Sequence, residues 1–238
     1  MMSQETVQTY LNEGVLLVFV APVDQSLQRD VLDCSLYTQL AANRQFNKFT
    51  HYRDWQATLI KALAAFGWLR LDFAEKREAK SESVVVARVL HELLPDALDQ
   101  WRGERLDNVL ASIFDVADDN VLKALHERCV EVAASNTSAR TATAEEPEVV
   151  TSVVLQIGFV LPSREMILLC MAFDTLERVG ANPFAQRLEP GRLVGEFRSF
   201  AFVGVLDDLR YSLFRQRVDT ALAEKRAQLS LPVRAARS

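Results

Sequence analysis

Hydrophobic positions change period several times along the chain. Val15-Leu16-Leu17-Val18-Phe19-Val20 is a continuous apolar run closed by Pro22, the pattern of a strand buried on both faces. Ahead of it, Val7, Tyr10 and Leu11 share one helical face behind Ser3, and Gly14 supplies a stop, so a short first helix is expected. Leu32, Leu36 and Leu40 predict a helix from Ser26 to about Ala42, and Trp55, Leu59, Leu63 and Phe66 predict another that ends at Gly67.

Beyond Gly67 the pattern becomes extended. Leu69, Leu71 and Phe73, expected to face inward, alternate with Arg70 and Asp72, and Val84 to Val89 follows the charged tract Glu75 to Glu82. Two antiparallel strands joined by a polar loop satisfy both stretches. Leu106, Val109, Leu110, Ile113 and Phe114 then mark a helix, and Asp118 or Asp119 caps a second one carrying Val121, Leu122, Leu125 and Cys129. These helices are expected to cover one face of a sheet.

The segment 135–148 (SNTSARTATAEEPE) lacks large apolar residues, so it cannot offset its ordering entropy by burial and reads as an exposed, mobile loop. The clearest β signal follows it. Val153, Leu155, Ile157, Phe159 and Leu161 line one strand face, Pro162-Ser163-Arg164-Glu165 forms a turn, and Met166 to Phe173 returns as a strand apolar on both faces and therefore central. The charges and break at the midpoint of Val149–Phe173 also exclude one membrane-spanning helix there. A further strand is expected at about Gly195 to Val205, then a helix opened by Asp207 and Asp208, carrying Leu209, Leu213, Val218 and Leu222, and stopped by Pro232 before a loose tail.

This order predicts an α+β fold: a mainly antiparallel sheet of about five or six strands with helices packed on it, in a single composite domain over residues 1–238. A duplication fails, because the shared landmarks Pro22/Pro162 and Asn43/Asn182 do not extend into a repeat.

With 238 residues and 49% hydrophobic content, the chain can bury a core without disulfides or metals. Its 27 basic and 32 acidic residues leave a formal charge of -5, which disfavours nonspecific nucleic-acid binding. Cys34, Cys129 and Cys170 are odd in number, widely spaced and set among apolar neighbours, and no basic residue precedes Arg29. Inert thiols, a cytoplasmic location and no secretory leader are the expectations.

Candidate chemistry is sparse. The eight glycines form neither a dinucleotide nor a phosphate-loop fingerprint. His51, His91 and His126 fall on different elements without metal-ligand spacing. Asp115, Asp118, Asp119 and Asn120 depart from a calcium loop and read as helix caps, and Ser163 reads as a turn residue. Glu196 with Arg198, and Arg70 with Asp72, share strand faces and could be charged sites or solvated surfaces. The C-terminal basic side chains Arg210, Arg215, Arg217, Lys225 and Arg226 could meet an acidic partner or form a solvated helix face.

No residue is assigned a catalytic, cofactor-binding or metal role, and no cofactor is expected. The leading functional expectation is a non-enzymatic protein-interaction module, an adaptor, assembly or chaperone-like component that is oligomeric, because a sheet edge can accept a partner strand. The alternative is a small-molecule enzyme drawing on scattered acids and bases, with Asp72, Glu196 and Arg198 first in line. A pore-forming hairpin over Ser152–Asp174 ranks last, since Met166, Leu168, Cys170 and Ala172 leave its second strand no polar face.

Overall fold

The computed structural model describes residues 7–79, 82–101, 103–133 and 149–233; the loop expected at 135–148 lies outside them. An eight-stranded sheet is sandwiched between two helical layers. The strands are β1 (Gln8–Asn12), β2 (Val15–Phe19), β3 (Trp68–Glu78), β5 (Val130–Ala133), β6 (Val150–Val160), β7 (Glu165–Thr175), β9 (Leu193–Leu206) and β10 (Ser230–Pro232). Their order is β10-β1-β2-β6-β7-β9-β3, with β5 also pairing β6. A separate two-stranded sheet pairs β4 (Val84–Val85) with β8 (Arg187–Leu188).

The α+β expectation holds, but the sheet is mixed rather than mainly antiparallel, and it is larger than the five or six strands expected. The parallel element is β2 against β6, in register from Val15↔Gln156 to Phe19↔Val160. About 130 residues of chain separate these strands, ample for the crossover that parallel neighbours require. Nothing in a strand's own apolar pattern reports the direction of its neighbour.

Helices α1 (Gln25–Gln45), α2 (Tyr52–Ala65) and α6 (Asp208–Leu229) cover one face of the sheet, and α3 (Val86–Leu93), α4 (Glu104–Val116) and α5 (Asp119–Cys129) the other. Three begin on an aspartate whose carboxylate accepts a backbone N–H: Asp24 from Leu27 at 2.8 Å, Asp118 from Val121 at 2.9 Å and Asp207 from Arg210 at 3.1 Å. Such a cap contributes about 1 kcal/mol. Because both faces are covered, β2, β6 and β7 are buried along most of their length, which is why their sequences read as unbroken apolar runs.

Three further expectations change. Residues 8–12 form a strand rather than a helix: Leu11 and Thr9 are buried, Gln8 is exposed, and the chain turns back through Glu13, at φ 56°, to pair with β2. The strand beginning at Trp68 runs on through the charged tract to Glu78 and pairs with β9, while Val84–Val85 joins β8 and the following residues turn helical. The stretch after α6 adds to β1 as β10 instead of trailing loose. Among the described residues, no helix is long and apolar enough to cross a membrane.

Candidate functional site

Three places gather polar or exposed groups. The first is the seam between α1 and α6. Asp30 and Asp33 lie on the buried side of α1, and each receives two hydrogen bonds from one arginine of α6: Arg215 to Asp30 at 2.9 and 2.7 Å, Arg226 to Asp33 at 2.7 and 2.9 Å. Arg215 also reaches Asp208 at 3.0 Å, Arg226 reaches Asp219 at 2.9 Å, Arg164 meets Asp208 at 3.2 Å, and Arg29 bridges Asp33 and Asp219. All of these groups except Arg226 border a cleft of about 880 Å³.

The hydrogen bond from Arg215 to Asp30 holds the guanidinium proton more firmly than usual, as that to Asp33 does for Arg226. Asp219 is held below its ordinary value chiefly by the hydrogen bond from Arg29. Four arginines and four aspartates therefore neutralise one another, and the cleft has no spare positive charge for an anionic ligand. Arg215 and Arg226, read from sequence as a surface for an acidic partner, are engaged inside the chain.

The second place is a polar pit below the connection between α1 and α2. Lys48 is only 6% exposed, and its ammonium has no hydrogen-bond partner among the described residues. It packs against Gly14, where an added Cβ would lie 2.6 Å from Nζ. Nearby, Gln156 donates to Gln39 at 3.4 Å but leaves its own oxygen unpaired, and Asn12 donates to the Leu32 carbonyl at 3.0 Å and does the same. Glu13, Asn43, Arg128 and Glu131 line a hollow of about 340 Å³ above. Lys48 lines this hollow as well, with its Nζ buried.

Glu196 and Arg198, candidates from the sequence, do come together at 3.5 Å, with Arg53 equally close to Glu196 and Arg198 over the Tyr52 ring. The cavity beside them holds about 20 Å³, room for one water. Asp72 does not join them. It sits opposite Val203 in β9, five residues along from Arg198, or roughly 17 Å at the rise of an extended strand. The cysteines are all buried, and burial pushes Cys34 and Cys170 up to about 12 and Cys129 up to about 11, far from the thiolate a nucleophile needs.

The remaining candidates have local duties. His91 accepts from the Gly103 N–H at Nδ1 and meets Asp107 at Nε2, 2.9 Å away, which ties α3 to α4. His51 meets Thr50 at 2.9 Å, and Ser163 donates to Glu165 inside the turn. Asp118 caps α5, and no cluster of metal-ligating side chains occurs among the described residues.

The third place is β3. It pairs with β9 on one side and ends the sheet on the other, so its outer edge offers backbone donors and acceptors to solvent. Gly67, at φ +98°, delivers the chain into this strand: its carbonyl accepts from the Asp207 N–H at 2.9 Å, and a side chain there would crowd the Tyr211 backbone at 3.1 Å. This junction places the start of β3 beside the start of α6. Leu69 and Leu71 are 39% and 57% exposed on β3, and Leu209 and Leu213 are 81% and 79% exposed on the first turns of α6. A bulge at Leu71 interrupts the ladder between Arg70 and Asp72.

No protein-family model and no curated protein sequence matches the chain. Several solved structures resemble it in shape, three of them as follows. An activated Cyt2Ba monomer from Bacillus thuringiensis subsp. israelensis is 12% identical with a TM-score of 0.44, over 83% of this chain and all of that one. A delta-endotoxin is 14% identical with a TM-score of 0.41, over 82% of each chain, and the Evf virulence factor is 12% identical with a TM-score of 0.41, over 85% of this chain and 76% of that one.

Of these places, sequence reasoning had named residues on β3, β9 and α6 but missed Lys48 and the α1 acids Asp30 and Asp33. A signal for the seam existed. Asp30 lies on the stripe Leu27, Val31 and Cys34, and an acid within an apolar helical face requires a cationic partner.

Proposed function

We propose that the chain is a protein-interaction module that accepts an extended strand of a partner along the outer edge of β3. The observation that carries this reading is the length and dress of that edge: among the described residues no strand pairs with the outer side of the eleven-residue β3, and Leu69 and Leu71 are exposed. Main-chain hydrogen bonds along such an edge give affinity, and the alternate side chains give selectivity. An edge dressed only in lysine repels every strand. β3 instead carries both signs, Arg70, Lys76 and Arg77 against Asp72, Glu75 and Glu78, so it favours a strand of complementary pattern.

Selection of linear peptides displayed on phage, followed by hydrogen exchange on the full chain, tests the reading. Selected peptides are expected to alternate in charge and to slow exchange of the amides between residues 72 and 78. If neither a peptide nor self-association ever protects those amides, the reading is wrong.

A further inference from the structure

We infer that the strand accepted by β3 is β3 of a second copy, in an antiparallel dimer whose two-fold axis passes through Ala74. This deepens the proposed function and rests on it. Asp72 and Lys76 are in no ion pair among the described residues, whereas Arg77 is tied to Glu75 at 2.6 Å within the same strand. With Ala74 opposite itself, Asp72 of each copy stands opposite Lys76 of the other. Asp72 accepts only the Phe73 N–H at 2.7 Å within its own chain, so a symmetric pair supplies it and Lys76 with ion-pair partners twice over.

Neighbouring registers do worse. A two-fold between two residues, on either side of Ala74, would oppose side chains that leave opposite faces of the strand, so no such register closes. Centring the two-fold on Glu75 opposes that acid to itself and Asp72 to Glu78, and like charges directly opposite are destabilising. At the chosen register the smallest side chain lies where the two copies approach most closely. The bulge at Leu71 ends the shared ladder on each side, leaving that exposed leucine beside the methylene stem of the other copy's Arg77. A two-fold contact of this kind closes on itself, so it yields a dimer and no fibre.

Sedimentation equilibrium on the full chain, with far-UV spectra matched between variants, tests the register. Lys76→Asp and Asp72→Lys are each expected to weaken the dimer roughly tenfold or more, since each replaces two attractive cross-strand pairs by repulsive ones. The double swap Asp72→Lys with Lys76→Asp restores it. Ala74→Cys is expected to cross-link between copies under mild oxidant, because opposed residues of antiparallel strands lie roughly 4.5–5.5 Å apart, within disulfide reach. Lys76→Cys does not cross-link.

A dimer indifferent to the swaps, or a chain that stays monomeric with no Ala74→Cys cross-link, overturns the inference. In the monomeric case, protection of β3 by selected peptides separates the two ideas: with it the strand-accepting edge stands and only the self-pairing falls, and without it both fall.

Discussion

The α1–α6 seam and the β3 edge are made of similar charged side chains in opposite circumstances. In the seam, Asp30 and Asp33 are withdrawn from water, and each holds an arginine of α6 through two hydrogen bonds. Along β3, Asp72 and Lys76 are exposed, and the chain itself supplies neither with an ion-pair partner among the described residues. The difference shows where charge is used for closure and where it remains available. A buried carboxylate must find its cation inside the same fold, because leaving it unpaired costs several kcal/mol; an exposed one can wait for another molecule, because water satisfies it meanwhile.

Breaking the seam gives the largest expected effect. Arg226→Met leaves the Asp33 carboxylate buried without its bidentate partner, and the chain is expected to lose about 3 kcal/mol, the low end for a broken buried pair, because Arg29 stays 3.7 Å from Asp33. Urea unfolding measures it; a loss near zero would mean that the seam is no more than a surface ion-pair set. α6 depends on these contacts more than its length suggests, since only Tyr211, Val218 and Leu222 among its 22 residues are buried.

Lys48 sharpens the comparison, for it is buried and its ammonium has no hydrogen-bond partner among the described residues, only the Phe49 ring 5.3 Å away. Replacing a buried charge by an apolar side chain of similar volume is often stabilising, so Lys48→Met is expected to raise stability by about 1–2 kcal/mol in the same urea assay. A decrease would show that the ammonium has a partner in solution. At the rim of the seam the effect is smaller. Asp219 titrates below the ordinary aspartate value because Arg29 and Arg226 donate to it. A lowered carboxylate pKa contributes stability above the unfolded value, and that contribution is lost as pH falls through the folded one. The stability difference between the wild type and Asp219→Asn should therefore be present at neutral pH and disappear as pH falls below about 3.8, as a series of thermal melts would show.

Much of the layer structure was legible because buried elements carry strong periods. β2, β6 and β7 announced themselves as apolar runs, and α1, α2, α4, α5 and α6 by helical spacing or an aspartate cap. What failed was non-local. Residues 8–12 are a strand because β2 and β10 flank them, and a five-residue segment holds too few positions to separate a period of 2 from one of 3.6. The full length of β3 was hidden because its outer half is exposed on both faces and bears charges at successive positions, leaving no apolar alternation. The pairing of Asp30 with Arg215 spans 185 residues, and no local pattern records it. Lys48 looked like any lysine in a polar connection, and only the position of Gly14 beneath it reveals its burial.

The smallest effect is also the one that best separates the two regions. Lys76→Asp reverses a charge as completely as any substitution in the seam could, yet its side chain is exposed and makes no ion pair within the chain among the described residues. Surface substitutions of this kind usually change stability by less than about 0.5 kcal/mol. Urea unfolding at concentrations low enough to keep the chain monomeric should therefore give the same midpoint for Lys76→Asp and the wild type. At high concentration the midpoints should diverge, because association stabilises only the form that can pair. If the midpoint of the dilute variant shifts by as much as that of Arg226→Met, Lys76 is holding the monomer together, and the distinction between a charge set closed on itself and one left open for a partner fails at its most exposed point.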